Sequence, residues 1–301
     1  MLQKNGKIIK GYGSSYFVKS EGKIYTCSVK GKMRIANSDQ HNPVAIGDNV
    51  IFEPEANSNS GVISEVLPRR SRLSRPANYY TDKEQVIVSN IDQIVAVVSL
   101  TKPKFKSGIL DRILTVAERE EIEAVICLNK FDLAEKEEAD FWLELYSSIG
   151  YKTILTSAVS GKGVEELANS LKDKVSTVIG QSGVGKSSLL NCVEPNLNLK
   201  TKDVSDYNEK GRHTTVHSEF FELSFGGFIA DTPGIREFGL WGIDKENLRD
   251  CFKEFQEFGA DCKFSNCKHI TEPKCKVLEA LENDKIQQLR YDSYLNIFDS
   301  L

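Results

Sequence analysis

The chain has 301 residues, 40% of them apolar, which at roughly 150 residues per domain implies about two packed cores and excludes a disordered chain. Its 39 basic and 43 acidic residues leave a net charge of −4, so it is no polycation that coats nucleic acid indiscriminately, and any basic surface is local. Apolar runs such as 94–98 and 124–128 extend for about five residues, far below the ~18 that cross a bilayer. The N-terminal residues lack the apolar stretch of a secretory signal, so a cytoplasmic protein without membrane contact is expected.

Charge is unevenly distributed. Residues 1–80 carry a net +6, residues 81–242 a net −7 and residues 243–301 a net −3. The basic excess falls in two groups: Lys30, Lys32 and Arg34, then Arg69, Arg70, Arg72 and Arg75.

From residue 6 to residue 66, short β-branched and aromatic runs alternate with Gly, Asn and Ser breaks: Lys7–Ile9, Ser15–Val18, Lys23–Val29, Asn49–Phe52 and Gly61–Val66. Five short strands in this space predict a small barrel of the oligonucleotide-binding (OB) kind. Tyr16, Phe17 and Tyr25 are its candidates for stacking on bases or for its core. Pro68 to Pro76, with four arginines between the prolines, reads as a linker or a basic arm.

Beyond residue 85 the rhythm changes. Apolar strands (Gln93–Leu100, Ala124–Leu128, Thr153–Thr156, Val175–Ile179, Gly227–Ala230) alternate with helical-period segments (Leu110–Ile122, Glu135–Ile149, Val164–Leu171, Lys186–Val193). Such alternation predicts a parallel sheet with crossover helices. From Asp244 onward the pattern is helical, interrupted by a cysteine cluster. The fold class expected is multidomain α/β: an OB-like front (1–80), a nucleotide-binding middle (81–242) and a helical tail (243–301).

Gly180-Gln181-Ser182-Gly183-Val184-Gly185-Lys186-Ser187 follows one strand and opens one helix, the context a phosphate-binding loop requires. Its glycines let backbone N–H groups converge on phosphate oxygens at a helix N-terminus. Lys186 is placed to neutralise the β and γ phosphates, the Ser187 hydroxyl to ligate Mg²⁺, and Ser188 to complete the loop. Asp231-Thr232-Pro233-Gly234 follows another buried strand, where Asp231 reaches the metal and the Gly234 N–H senses the γ-phosphate.

Asn129-Lys130-Phe131-Asp132 ends the strand Ala124–Leu128. Asp132 accepts from guanine's ring N–H and exocyclic amine, two donors that adenine lacks on that edge, so such a site rejects ATP. Ser157 and Ala158 are expected to supply a backbone N–H to guanine O6. These guanine-reading elements precede the phosphate loop, the reverse of the usual GTPase order, yet all end parallel strands and can meet on one sheet edge. The order describes a circularly permuted GTPase.

Seven cysteines spread along the chain argue against a disulfide framework. Cys27, Cys127, Cys192 and Cys251 are expected as small buried apolar residues. Cys262, Cys267, His269 and Cys275, spaced Cys-x4-Cys-x-His-x5-Cys, supply three thiolates and an imidazole, a closed tetrahedral set for one structural Zn²⁺.

The permuted order, the Gly211-Arg212-His213-Thr214-Thr215 segment, the OB-like front and the cysteine cluster together resemble the RsgA family of GTPases over essentially the full chain. The resemblance implies GTP hydrolysis to GDP and phosphate, stimulated by the small ribosomal subunit and its rRNA during late maturation of that subunit, by a monomer. It places switch I around Gly211–Thr215, with Thr214 or Thr215 sensing Mg²⁺ and His213 a candidate for the catalytic machinery beside Lys186 and Asp231. The water-orienting Gln found after Asp-x-x-Gly in many GTPases is here Ile235, so slow intrinsic turnover is expected. The competing reading is a nucleotide-gated scaffold that recruits a partner without needing hydrolysis.

Overall fold

The computed structural model describes residues 3–31, 33, 42–78, 81–199, 218–231 and 240–301. The chain forms two compact units. One comprises Met1–Gln93, Leu171–Val178 and Ser205–Trp241; the other comprises Ile94–Ser170, Ile179–Val204 and Gly242–Leu301.

In the first unit, β1 (Lys4–Tyr12), β2 (Ser15–Ser20), β3 (Lys23–Val29), β4 (Asn49–Pro54) and β5 (Ser60–Val66) follow one another. Pairing runs β1–β2–β3–β5–β4 and returns from β4 to β1, with only β3–β5 parallel. The expected five-stranded barrel is therefore closed, which removes the unpaired edges of an open sheet. Alternate residues point inward: Ile8, Val18, Cys27, Val50, Phe52 and Ile63 are buried. Tyr25 is buried among them with its ring 5.0 Å from that of Phe52, so it is core rather than an exposed stacking platform.

Residues 68–76 correct the expectation of a linker or free basic arm. They lead into β6 (Arg72–Asn78), which pairs antiparallel with β7 (Thr81–Ser89). The arginines serve the fold: Arg69 Nε lies 2.7 Å from the buried Asp48, Arg70 pairs with Asp92 at 2.6 Å and Arg72 with Glu84 at 3.0 Å. Composition alone gives no means of telling paired arginines from free ones. Lys32 and Arg34 of the other basic group lie outside the described residues.

The remaining elements, in chain order, are β8 (Gln93–Ser99), α1 (Ser107–Arg119), β9 (Glu123–Asn129), α2 (Lys136–Ser148), β10 (Lys152–Leu155), α3 (Val164–Leu171), β11 (Val175–Ile179), α4 (Lys186–Val193), β12 (Ser218–Glu222) and β13 (Phe228–Asp231). The strand β12, absent from the sequence reading, pairs antiparallel with β13 and with β1, while β11–β13 is parallel.

In the second unit the strand order is β10–β9–β8, with β9 and β10 parallel. Every residue of β8 is buried and all but the first of β9 are, as expected of strands covered on both faces. On α1, Leu110, Ile113, Leu114 and Ala117 are buried at helical spacing. The tail folds as α5 (Lys253–Gly259), α6 (Lys276–Glu282) and α7 (Gln288–Ser300). Among the described residues no helix is long and apolar enough to cross a membrane.

Arg290 of α7 is 2% exposed and Asp111 of α1 fully buried. Their side chains form an ion pair, Arg290 Nε reaches Glu254 Oε1 at 2.6 Å, and Tyr146 OH donates to Asp111 Oδ1 at 3.0 Å. Burial works against the guanidinium charge, but Asp111 and Glu254 overcome it and raise its pKa.

Candidate functional site: a nucleotide pocket and a cysteine–histidine cluster

Three chain segments of the second unit converge where β9 and β10 end and α4 begins. Glycine at 180 is a steric requirement, because a Cβ there would lie 2.0 Å from the carbonyl oxygen of Val97 in β8. Gly185 caps α4 at φ +95°, and a Cβ there would meet Asn129 Nδ2 at 2.5 Å. Leu189 and Leu190 are buried and anchor the helix behind the loop.

Asn129 joins base motif and phosphate loop. Its side chain is 1% exposed; Nδ2 donates to the Val184 carbonyl at 2.8 Å and Oδ1 accepts from Thr156 Oγ1 at 3.1 Å. An amide supplies both donor and acceptor there, which a carboxylate does not. Lys130, at φ +61°, extends its Nζ to the carbonyl of Gly183 at 2.7 Å and to that of Lys102. Burial lowers its pKa, with Asp132 acting to raise it and Lys102 to lower it further. Lys162 Nζ lies 3.7 Å from the centroid of the Phe131 ring.

Asp132 is oriented by Ser157, whose hydroxyl donates to Oδ1 at 2.5 Å. The Ser157 N–H donates to the Lys162 carbonyl at 3.0 Å. At Ala158, the carbonyl accepts from Cys192 Sγ at 3.4 Å; Cys192 is exposed, unlike the buried Cys27, Cys127 and Cys251, because it faces this loop instead of the helix's packed side. Lys186 Nζ is held over the loop by the carbonyls of Gly180 and Gln181, at 2.8 and 2.7 Å. Ser187 and Ser188 are half-buried in the first turn of α4, and Ser182 and Gly183 are exposed. The sequence reading missed Thr156, Lys102 and Lys162, which carry no motif of their own.

Asp231 closes β13, with its side chain outside the described residues. Gly211, Arg212, His213, Thr214, Thr215, Thr232, Pro233, Gly234 and Ile235 also lie outside them.

In the tail, the ligand atoms of Cys262, Cys267, His269 and Cys275 all lie within 4.8 Å of one another. Cys262 Sγ is 3.9 Å from Cys275 Sγ and 3.7 Å from His269 Nδ1, which is 3.3 Å from Cys275 Sγ. Thiolates at about 2.3 Å from a tetrahedral zinc are separated by about 3.8 Å, so the four residues fit a zinc site. Backbone N–H groups of Lys276 and Leu278 point to Cys262 and Cys275 Sγ at 3.3 and 3.5 Å. Burial and Arg249 lower the His269 pKa, favouring the neutral ring that a metal requires.

The cluster's shell is tied down on several sides. Tyr291 OH donates to the His269 carbonyl at 2.8 Å, Tyr294 OH to that of Lys268 at 2.6 Å and Arg249 Nη1 to that of Cys267 at 2.8 Å. Desolvation would raise the Glu272 pKa, but backbone N–H donors from Lys268, Ile270, Glu272 and Thr271 prevail and hold it at about 2.

Two family models match this chain, the RsgA GTPase over residues 66–241 and the RsgA N-terminal domain over residues 5–63. Curated relatives named small ribosomal subunit biogenesis GTPase RsgA include that of Flavobacterium psychrophilum, 40% identical across 98% of this chain and 92% of its own. That of Chlorobaculum tepidum is 42% identical across 99% and 98%. Among solved structures, YjeQ from Thermotoga maritima superposes with a TM-score of 0.80 at 35% identity, covering 100% of this chain and 99% of its own. YloQ, described as a circularly permuted GTPase, gives 0.75 at 33% identity, covering 98% and 94%. Family models, full-length relatives and solved structures thus agree, and the chain belongs to the RsgA family of circularly permuted, GTP-hydrolysing enzymes.

Proposed function

We propose that this GTPase acts in maturation of the small ribosomal subunit, with that subunit and its rRNA as the partner that accelerates hydrolysis. The nucleotide part of the reading is supported by the clasp of Asn129 on the Val184 carbonyl, which ties the Asn-Lys-x-Asp segment to the glycine-rich loop, and the ribosomal part by relatives named small ribosomal subunit biogenesis GTPase RsgA. Asp132 reads guanine, with Ser157 and Ala158 closing the pocket. Gly180 to Ser188 cradle the phosphates, and Lys186 balances their charge. Ser187, Asp231 and one of Thr214 and Thr215 serve Mg²⁺, while the Gly234 N–H senses the γ-phosphate. Bound there, the metal would supply neutralisation of phosphate charge. With Ile235 unable to orient water, acceleration falls to the partner or to His213.

In this reading the protein works as a cytoplasmic monomer, its barrel front (1–80) and tail (243–301) flank the GTPase part (81–242), and Cys262, Cys267, His269 and Cys275 hold one structural Zn²⁺. Because the four ligands come together only in the folded tail, metal binding is coupled to its folding. Chelation is expected to release about one zinc per chain and to expose the tail to proteolysis. Metal release without any change in digestion would reduce the ion to an accessory.

Phosphate release measured with each ribosomal subunit in turn tests the main reading. Strong stimulation by the small subunit alone is expected. Binding without turnover favours the scaffold. A His213→Ala protein whose stimulated single-turnover rate stays unchanged removes His213 from the chemistry.

A further inference from the structure

The segment 101–106 joining β8 to α1 carries Lys102, Lys104 and Lys106, and no carboxylate occurs in the sequence between Asp92 and Asp111. All three lysines are exposed. None forms an ion pair with another described residue.

The segment is held in place at both ends. Ser99 Oγ accepts from the N–H groups of Thr101 and Lys102 at 3.4 and 3.1 Å. Phe105 packs against Trp142 of α2, ring centroids 4.5 Å apart at 65°. The N-terminus of α1 begins directly after Lys106 and adds its own positive end.

It also touches the nucleotide site. Lys130 Nζ donates at once to the Lys102 carbonyl and to the Gly183 carbonyl in the phosphate loop. Pro103 also faces Gly183, its Cδ 3.9 Å from where a Cβ would stand. A load on this segment therefore reaches the base motif and the phosphate loop through one shared lysine.

We propose that the 101–106 segment is a docking platform for the phosphate backbone of RNA, and that RNA seated on it bears on the nucleotide site through Lys130. Point charges without acceptors match phosphates and read no base. A peptide partner would need an apolar anchor, and the one large apolar side chain here, Phe105, is turned onto Trp142. The inference rests on the reading that a ribosomal particle is the partner, and it names the contact through which stimulation passes.

The test compares wild type with a Lys104→Gln/Lys106→Gln variant, which leaves Lys102 and Lys130 intact, in the full-length protein. Intrinsic GTP hydrolysis, GDP affinity and melting temperature are measured without ribosomes, then binding and hydrolysis with small subunits between about 50 and 200 mM salt. Unchanged basal values are expected, with binding about tenfold weaker, a salt slope smaller by about one to two, and stimulation reduced accordingly. Lys104→Arg/Lys106→Arg is expected to restore both. If wild type is stimulated and the glutamine variant equally so at every salt concentration, the platform is refuted while the ribosomal reading stands. Lost stimulation with an unchanged salt slope points to a contact other than phosphate and also overturns it. A wild type that small subunits do not stimulate removes the ribosomal reading and this inference together.

Discussion

Replacing Asp132 by asparagine is expected to lower GTP affinity by at least about a hundredfold and to move preference toward xanthosine triphosphate. The carboxylate offers two acceptors to guanine's N1–H and exocyclic amine. Asparagine keeps one acceptor and turns the other into a donor, which faces the amine unfavourably but suits the carbonyl that xanthine carries at the same carbon. A site built to hydrogen-bond its substrate loses about 1–3 kcal/mol for each buried polar group left unpaired. Ser157 sharpens the effect, since its hydroxyl already donates to Oδ1 at 2.5 Å and fixes the orientation. Titration of the Asp132→Asn protein with guanosine, xanthosine and adenosine triphosphates checks this. Undiminished GTP binding would show that position 132 does not face the base. Because Asp132 does not touch the phosphate loop, the melting temperature is expected to stay within about 2 °C of wild type, each 1 kcal/mol corresponding to about 2–4 °C.

Arg290→Met is expected to be the most destabilising single change in the second unit. The guanidinium is the shared partner of Asp111 and Glu254, bonded to the latter through Nε at 2.6 Å and Nη2 at 3.2 Å. Removing it strands a fully buried carboxylate on α1 and a nearly buried one on α5. Breaking a buried ion pair from one side costs about 3–5 kcal/mol, which lowers the melting temperature by roughly 6–20 °C. The network itself need not be optimal: an Asp111→Leu/Glu254→Met/Arg290→Met protein is expected to recover most of the loss, since no charge is then left without a partner. Thermal unfolding of the single and triple variants decides between a cost of stranded charge, which the triple variant relieves, and a cost of lost packing, which it does not.

Much of the site was legible because its chemistry is local. Gly180, Gly185, Lys186 and Ser187 follow a strand and open a helix within eight residues, and the structure supplies the steric reason for two of the glycines. The four residues of the cysteine–histidine cluster are similarly close in sequence, and their donor atoms meet. Strands buried on both faces, such as β8 and β9, were clear from continuous apolar runs. The region from 68 to 89 was not, because Pro76 and four arginines resemble a solvated arm. A strand there depends on Asp48, Glu84 and Asp92, carboxylates distant in sequence. The strand β12 was likewise silent, being short and completed only by its neighbours β1 and β13.

By itself the amino-acid order determined the permutation and singled out the candidate guanine-reading, phosphate-cradling and metal-ligating residues, since each depends on residue type at short spacing. Only tertiary structure decided how these are fastened together. Asn129 closes on Val184 from 55 positions away, Lys130 bridges Lys102 and Gly183, and Arg290 reaches back 179 positions to Asp111. Such partners are chosen by the stacking of strands and helices, a long-range property that short spacing in a sequence does not encode.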